Sequence, residues 1–305
     1  MRRIGTVLVT LLVGCGTDPA PDSGISVSPL VGPGSATHPA VAPDGSAIAF
    51  MSNMVGAQSG SPINFEIYIV PPDGLQPQRL TENEAFDADI TWSPDSQTLA
   101  FKTFRDGNDE IYRVERNGDS PANLTSHPSS DFQPHWAPDG RAIAFGSDRG
   151  GTGGLYVLNP TDLQVEVLLD TPSEESSPRW SPDGTRIAFV SDGAGNDDIY
   201  VADADGTGAR RLTDSPASDW SPRWSPDGSR ILFISGSFDT DVWNLYSVSP
   251  DEEGLPELLV EGVDSGNPAW HPDGNRIFFG RYVDGESRLF SARADGTDVV
   301  PFGHR

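Results

Sequence analysis

Short runs of apolar residues, separated by polar turns, recur along most of the chain. Thr185–Val190 ends in four consecutive apolar residues, so both faces of a strand there would be hydrophobic. Such a strand is predicted to lie buried between two neighbouring sheets. The preceding Ser181–Gly184 has Pro second and Gly fourth, which is typical of a type I turn. No segment of useful length has a helical period, so the pattern predicts an all-β protein.

The same stretch of chain predicts a unit of four antiparallel strands, which we label A to D. Strand A covers Ser177–Trp180 and strand B covers Thr185–Val190. After a polar loop, strand C covers Asp198–Ala202, and a tight turn leads to strand D at Arg210–Thr213.

Two motifs repeat in step along the chain. The first is Trp-Ser-Pro-Asp-Gly or a close variant, whose aspartates are Asp44, Asp95, Asp139, Asp183, Asp227 and Asp273. The second is an aliphatic residue followed by Tyr or Phe, at residues 67–68, 111–112, 155–156, 199–200, 245–246 and 289–290. Successive motif aspartates are 44–51 residues apart. Four-stranded units that repeat at about this interval are the blades of propellers. We therefore predict a six-bladed β-propeller of four-stranded antiparallel blades over residues 25–305, with the motif aromatics wedged between blades.

Two segments compete for the outer edge of the last blade. Ile25–Val31 is spaced like a strand D that has no blade of its own, and Val299–Phe302 is the strand D of the sixth unit. We expect the N-terminal segment to take that edge and close the ring, with the C-terminal segment beyond it or frayed.

The unit that contains Trp180–Gly184, Asp198–Val201 and Arg211–Thr213 resembles the TolB propeller repeat, which also occurs in propeller domains of prolyl oligopeptidase relatives. The resemblance covers about residues 30–303 and implies the fold, while leaving the function open. TolB carries an α/β domain before its propeller and is soluble in the periplasm. We expect no such domain here, and we expect similarity to propeller-only lipoproteins of the same repeat family.

The N-terminus predicts export and lipid anchoring. Met1–Arg3 is basic, and the uncharged Ile4–Val13 is too short to span a bilayer. Leu12–Cys15 resembles a bacterial lipobox, which implies a signal peptide over residues 1–14 and acylation of Cys15, the only cysteine. The alternative is an ordinary secretory signal with an incidental cysteine.

This interpretation makes residues 15–24 a flexible tether and places the protein in the bacterial cell envelope. Gly16, where some lipoproteins have aspartate, favours the periplasmic side of the outer membrane.

The charge of the chain limits its partners. Asp and Glu number 45 against 20 Lys and Arg, which gives a net charge of −25. Nucleic acid and anionic lipid are disfavoured, whereas cations and basic protein segments are attracted. A single cysteine excludes an internal disulfide, so packing alone must hold the fold together. We expect a monomer.

The predicted topology places the D–A and B–C loops on one face of the propeller, at one mouth of its tunnel. Acidic residues recur there five positions before the motif Trp: Asp87, Asp131, Glu175 and Asp219. The B–C loops add Asp106, Asp109, Asp148, Asp192, Asp197, Asp239, Asp241 and Asp284, and the first of these loops, Asn53–Asn64, is the longest. One interpretation is a carboxylate ring that binds Ca²⁺ or a basic peptide. The other is a set of aspartates that cap backbone amides at strand starts.

Two further features are candidate binding elements. The loop that contains Asp192 and Asp197 is rich in side-chain oxygens, like a calcium-binding loop, but its residues do not follow the EF-hand ligand order. Trp220 and Trp243 fall outside the motif positions, so we expect them in loops, where they could stack on sugars.

The sequence contains no convergent catalytic set. It has neither a Gly-x-Ser-x-Gly elbow nor a phosphate-binding fingerprint, and its five histidines occupy unrelated positions. Three hypotheses follow. The first is a non-enzymatic envelope protein that binds a protein segment at the acidic tunnel mouth, with Ca²⁺ as an optional cofactor. The second is a carbohydrate-binding or lyase-like propeller, and the third is a scaffold alone.

Overall fold

The structure, a computed structural model, describes residues 36–53, 64–71, 76–237, 239–240, 242–251, 254–264, 266–283 and 286–301. These residues form 24 strands and no helix. The strands make six four-stranded antiparallel sheets, each built from four consecutive strands. The prediction of a six-bladed propeller is therefore confirmed.

The strands of each blade follow one another from the tunnel outward. Blades 1 to 3 comprise β1 (Ala36–Val41), β2 (Ile48–Ser52), β3 (Glu66–Val70), β4 (Gln78–Arg79), β5 (Asp87–Trp92), β6 (Thr98–Thr103), β7 (Glu110–Glu115), β8 (Ala122–Asn123), β9 (Asp131–Trp136), β10 (Ile143–Ser147), β11 (Gly154–Leu158) and β12 (Val165–Leu169). Blades 4 to 6 comprise β13 (Glu175–Trp180), β14 (Arg186–Ser191), β15 (Asp198–Asp203), β16 (Arg210–Arg211), β17 (Ser218–Trp224), β18 (Ile231–Ser237), β19 (Val242–Val248), β20 (Glu257–Val263), β21 (Ala269–Trp270), β22 (Arg276–Val283), β23 (Glu286–Arg293) and β24 (Val300–Pro301).

An aromatic pair sits at the centre of every blade. A fully buried Phe on the second strand lies directly opposite the Tyr or Phe of the second sequence motif, and their ring centroids are 5.6–6.3 Å apart. The pairs are Phe50–Tyr68, Phe101–Tyr112, Phe145–Tyr156, Phe189–Tyr200, Phe233–Tyr246 and Phe279–Phe290. Cross-strand aromatic pairs of this kind stabilise a sheet, which explains why the motif recurs.

The motif tryptophans join adjacent blades. The indole N–H of Trp92 donates to the carbonyl oxygen of Ala40 at 2.9 Å, and Trp224 donates to Arg179 at 2.9 Å. Trp270 repeats the contact with Arg223 at 3.2 Å. In each case the acceptor belongs to the preceding blade, so the predicted role as inter-blade wedges is confirmed for these tryptophans.

The last blade corrects one expectation. Its outer strand is β24, which pairs with β23 through Phe290 and Pro301 and through Ser291 and Val300. The C-terminal segment thus occupies the edge that we expected Ile25–Val31 to take, because β24 can form hydrogen bonds directly with the strand that precedes it. Residues 25–31 lie outside the described residues. The ring closes where β1 packs against β22 and β23.

Residues 1–24, with the expected signal peptide, Cys15 and tether, also lie outside the described part of the chain. None of the described residues belongs to a helix with the length and hydropathy of a membrane span.

Candidate functional site

The innermost strand of five blades bulges toward the tunnel. Pairing with the second strand is interrupted for two residues, the first of which has a positive φ of 54–58°. These first residues are His38, Asp89, Gln133, Ser177 and Ser221. Non-glycine residues rarely adopt this conformation. The bulge re-aims the residues that follow it, which include the one immediately before the motif Trp.

The four acids predicted at the tunnel mouth are buried. Asp87 and Asp131 are fully inaccessible, and Glu175 and Asp219 are 2% and 1% exposed. Each lies opposite a Ser or Thr of the second strand, where the innermost strand begins. They do not present an open ring of charge at the surface, because short side chains at strand starts turn back onto neighbouring hydroxyl and guanidinium groups.

Two of the four carboxylates are paired with arginines of the B–C loops. Asp131 accepts hydrogen bonds from the Ser147 hydroxyl at 2.5 Å and from Nη2 of Arg149 at 2.6 Å. Asp87 accepts from Arg105 at 3.2 Å and from the Asn83 amide at 2.8 Å. Ion pairs with several hydrogen bonds satisfy buried charge well, so these two acids have a structural role.

The other two carboxylates have no arginine partner in the described part of the chain. The hydroxyl of Thr171 donates to Glu175, whose pKa is raised mainly by burial. Burial also raises the pKa of Asp219 to about 6, with hydrogen bonds from Ser235 and Thr213 opposing the shift. Asp219 is therefore the carboxylate of this group that can change protonation near neutral pH.

A second set of buried acids, missed by sequence reasoning, lies at the start of the third strands. It comprises Glu66, Glu110 and Asp198. The hydroxyls of Thr81 and Thr125 donate to Glu66 and Glu110 at 2.6 and 2.5 Å, and Arg211 pairs with Asp198 at 2.7 Å. The available signal was the recurrence of these acids before the Ile-Tyr motif, with a Thr two residues after the outer strand.

The B–C loops present most of their acids to solvent. Asp106, Asp148, Asp192 and Asp239 are exposed, whereas Asp109 and Asp197 are partly buried. Residues 54–63, 241 and 284 lie outside the described residues. The pKa of Asp197 is raised by burial and by the nearby charges of Asp192 and Glu174.

Side chains of the Asp192–Asp198 loop form hydrogen bonds with the backbone of the neighbouring D–A loops. The Asp192 carboxylate accepts the Glu174 N–H at 2.9 Å, and the Asn196 amide donates to the carbonyl of Ala217 at 2.8 Å. The described residues contain no group of three or more His, Cys, Asp or Glu side chains that could hold a metal ion.

The two candidate sugar-stacking tryptophans lie on strands, which corrects the expectation that they occupy loops. Trp243 belongs to β19, is 2% exposed and packs over Gly236, where an added Cβ would come within 2.7 Å of the indole. Trp220 belongs to β17 and packs against the cluster shared by blades 5 and 6. Packing between strands thus accounts for both side chains.

A cavity in the central tunnel lies toward the A–B turns and away from the acidic loops. It has a volume of about 540 Å³. Its walls are the motif prolines Pro43, Pro94, Pro138, Pro182, Pro226 and Pro272 and the motif tryptophans Trp92, Trp136, Trp180, Trp224 and Trp270. The residues immediately before the motif Trp add polar groups to this lining: Thr91, His135, Arg179 and Arg223.

Sequence reasoning missed these tunnel side chains because they lie beside a stronger motif. His135 is the clearest case, since burial and the charges of Arg179 and Arg223 hold its pKa well below the usual value. Its Nδ1 accepts the backbone N–H of Trp180 at 3.2 Å. The ring is therefore neutral at pH 7, and it serves the backbone of the next blade.

Comparison with known families agrees with this architecture. Residues 91–169 match the model of the TolB beta propeller domain, and residues 151–290 match that of the Tricorn protease N-terminal beta propeller domain. The chain therefore has a TolB-like β-propeller fold, and the two models together cover residues 91–290 of it. A search of curated proteins gave no match for the TolB-like propeller.

Solved structures give the same fold. The TolB-like propeller is 20% identical to TolB from Acinetobacter baumannii, with a TM-score of 0.67 over 86% of this chain and 62% of that protein. A TolB-type protein from Agrobacterium tumefaciens is 23% identical, with a TM-score of 0.68 over 86% of this chain and 91% of that one. An oligogalacturonate lyase in complex with manganese is 16% identical, with a TM-score of 0.62 over 88% and 77%. At these identities the similarity establishes the fold alone.

Proposed function

We propose that this TolB-like propeller is a lipid-anchored protein of the bacterial cell envelope that binds a basic segment of another envelope protein without catalysing a reaction. The proposed anchor is acylated Cys15, with residues 1–14 as the signal and the periplasmic side of the outer membrane as the location. The proposed binding surface is the face formed by the D–A and B–C loops, which we call the loop face.

The exposed charge of the loop face is the observation that carries this proposal. Its exposed acids are Glu82, Glu84, Asp106, Asp148, Asp170, Glu174, Asp192, Asp214 and Asp239. The arginines among these loops already pair with buried carboxylates, as in Arg105–Asp87 and Arg149–Asp131, so they offset little of the surface charge. A surface of one sign speeds the approach of an oppositely charged partner.

Two exposed aromatic side chains give this face an apolar contact as well. Phe86 is 42% exposed in the loop before β5, and Phe104 is 51% exposed in the loop after β6. Phe86 also meets Phe65 edge-on at 5.6 Å. Aromatic residues within a charged rim are typical of protein-binding surfaces. Trp220 and Trp243 are packed between strands, so no observation favours the sugar-binding alternative.

The test compares two charge-matched variants. The loop-face variant combines Asp106→Asn, Asp148→Asn, Asp192→Asn and Asp239→Asn. The control combines Asp139→Asn, Asp183→Asn, Asp205→Asn and Asp295→Asn on the opposite face, where asparagine can keep the turn hydrogen bonds. Both variants change the net charge equally.

Capture from envelope extract, and binding of a defined lysine-rich peptide by fluorescence anisotropy at two salt concentrations, are the measurements. We expect the control to bind like the wild type and the loop-face variant to lose at least tenfold in affinity. Equal loss in both variants would mean that net charge alone drives binding, and unchanged binding in the loop-face variant would exclude this surface.

A further inference from the structure

Two arginines face the tunnel without a carboxylate partner. Arg179 and Arg223 occupy the same position in blades 4 and 5, and both line the tunnel cavity. Arg179 is only 4% exposed. Neither forms an ion pair with any described residue, in contrast to Arg105, Arg149 and Arg211, each of which pairs with a buried acid.

Hydrogen bonding leaves most of each guanidinium group available. Nη1 of Arg179 donates to the carbonyls of Gln133 and Pro178 at 3.2 and 2.8 Å, and Nη1 of Arg223 donates to Pro222 at 2.8 Å. These hydrogen bonds use only Nη1 of each guanidinium group. These contacts therefore fix the position of each group while leaving donors free toward the cavity.

In the tunnel, the two guanidinium groups and one carboxylate, that of Asp89, act on one another. Burial lowers the pKa of Arg223 well below its usual value, and the charge of Arg179 lowers it further. Burial lowers the pKa of Arg179 to about 10, and Asp89 opposes the shift. Asp89 is the carboxylate that acts on both arginines. His135 is neutral, and burial lowers the pKa of His38 against the effect of Asp89.

A structural role alone does not account for this arrangement. A buried cation without a counterion is strongly destabilising, and two neighbouring cations also repel each other. If only the alkyl stems were needed to fill the tunnel, methionine or leucine would do so without that cost. A further negative charge in the cavity would reduce both costs.

We propose that the tunnel cavity binds an apolar monocarboxylate through Arg179 and Arg223. The planar guanidinium fork matches a carboxylate, which would give these arginines the ion-pair partner they do not have among the described residues. The walls of proline and tryptophan suit an apolar body, and about 540 Å³ is the size of a small-molecule site. The carboxylate could come from a small organic acid or from the carboxyl terminus of a peptide. This site is separate from the loop face.

Calorimetric titration of the whole protein distinguishes these sources. The probes are phenylacetate and its neutral amide, phenylacetamide, and the tripeptide Ala-Ala-Phe with a free or an amidated carboxyl terminus. We expect the carboxylate form of a pair to bind and its amide not to bind. The pair that responds identifies the source.

Substitution of the arginines tests the site itself. Arg179→Met and Arg223→Met are each expected to weaken binding about tenfold or more, since hydrogen bonds to charged groups are lost. Arg141→Met, whose side chain is 88% exposed outside the tunnel, is the control and should bind normally. Three results would overturn the proposal. They are equal binding of acid and amide, wild-type affinity in a variant that combines Arg179→Met and Arg223→Met, and no binding of any carboxylate probe.

A second variant avoids removing the arginines. Ala269 lines the same cavity in blade 6, next to Arg223 of blade 5, and is 8% exposed. Ala269→Asp should supply a counterion, raise Tm above that of Ala269→Asn, and reduce phenylacetate affinity at least tenfold. A lower Tm than Ala269→Asn together with unchanged binding would contradict the assignment. None of these variants alters the loop face, so the two proposals fail independently.

Discussion

Individual carboxylates in this propeller are buried at equivalent positions but differ in their partners. Asp131 has an arginine and a serine within hydrogen-bond distance, whereas Asp219 has hydroxyl partners only. The same strand position can thus hold a permanently charged side chain or one that titrates near neutrality. The difference arises in the following B–C loop, which supplies Arg149 in one blade and Ser237 at the matching place in the other.

Arg149→Met tests the paired case. Removing one member of a buried ion pair leaves a buried charge, so we expect a loss of about 3 kcal/mol in the free energy of unfolding, measured by urea denaturation at pH 7. Combining it with Asp131→Asn should restore part of the loss. The exposed Arg141→Met should change stability by less than about 0.5 kcal/mol. Equal stability of the first and last variants would show that the pair contributes nothing.

Asp219→Asn tests the unpaired case. The folded-state pKa of about 6 lies above the ordinary 3.8, so ionisation opposes folding, and stability from this group increases as pH falls from about 7 to 4. We expect the variant to be more stable than wild type by about 2 kcal/mol at pH 8 and to show a flatter stability profile between pH 4 and 7. The exposed turn residue Asp205, whose pKa is lowered by bonds from Thr207, is the control, since Asp205→Asn should not increase stability. A steeper profile in Asp219→Asn would contradict the assignment.

The recurrence of these acids was visible in the sequence, but their burial was not. A carboxylate five residues before the motif Trp fits an exposed loop or a buried pair equally well. The decisive signal was Arg105 and Arg149, each eighteen residues after its acid, together with a Ser or Thr opposite. That relation is recognisable only once the strand register brings the two ends of a hairpin together. Arg179 and Arg223 were missed because they form the centre of the ring, where separate blades meet.

Whole strands were easier to anticipate than their irregularities. In blade 4 we predicted Ser177–Trp180 and Asp198–Ala202, and the structure has Glu175–Trp180 and Asp198–Asp203. The apolar runs and turn residues are local signals, so they locate strands well. The bulge in the innermost strand was not predicted, because a positive φ at Ser177 depends on contacts with other blades, including the bond from its N–H to Gln133.

The C–D turn of blade 4 closely approaches the preceding blade, and glycine makes this possible. At Gly206, with φ of +82°, an added Cβ would lie 2.1 Å from the carbonyl oxygen of Leu168 in the preceding blade. Gly206→Ala should therefore lower the free energy of unfolding by about 2 kcal/mol or more, measured by urea denaturation. Gly195→Ala, with φ of +107° and open space around it, isolates the backbone effect at about 1 kcal/mol. Equal losses of unfolding free energy in the two variants would mean that the added Cβ at residue 206 does not clash with the preceding blade.

At the scale of the whole molecule, the sixth blade must meet the first for the ring to close. β24 completes the sixth blade, and β1 packs against β22 and β23. Sequence analysis predicted the number of blades correctly because two motifs agreed six times. The strand predicted for the outer edge of the last blade was wrong, because spacing alone does not distinguish a segment near the N-terminus from one at the C-terminus.

Deletions at the two ends test this closure. Removing residues 25–31 should leave Tm within a few degrees of wild type, since β24 already occupies the edge of the sixth blade. Truncation after Thr297 removes β24, exposes the edge of β23, and should lower Tm by more than about 5 °C, measured by circular dichroism. A larger decrease from the first deletion than from the second would favour closure by the N-terminal segment.

The position before each motif tryptophan has a consequence for the evolution of this fold. Thr91, His135, Arg179, Arg223 and Ala269 occupy it, Ala40 occupies the equivalent position before Val41 in blade 1, and all six line one cavity. The aromatic pairs that stabilise the blades lie elsewhere, so these six sites can vary more than the blade centres, although His135 and Arg179 form hydrogen bonds with the backbone of adjacent blades. Relatives can therefore acquire different ligand preferences through single substitutions at these positions. The identities of these six residues in each relative would indicate the charge and size of the ligand that its cavity can bind.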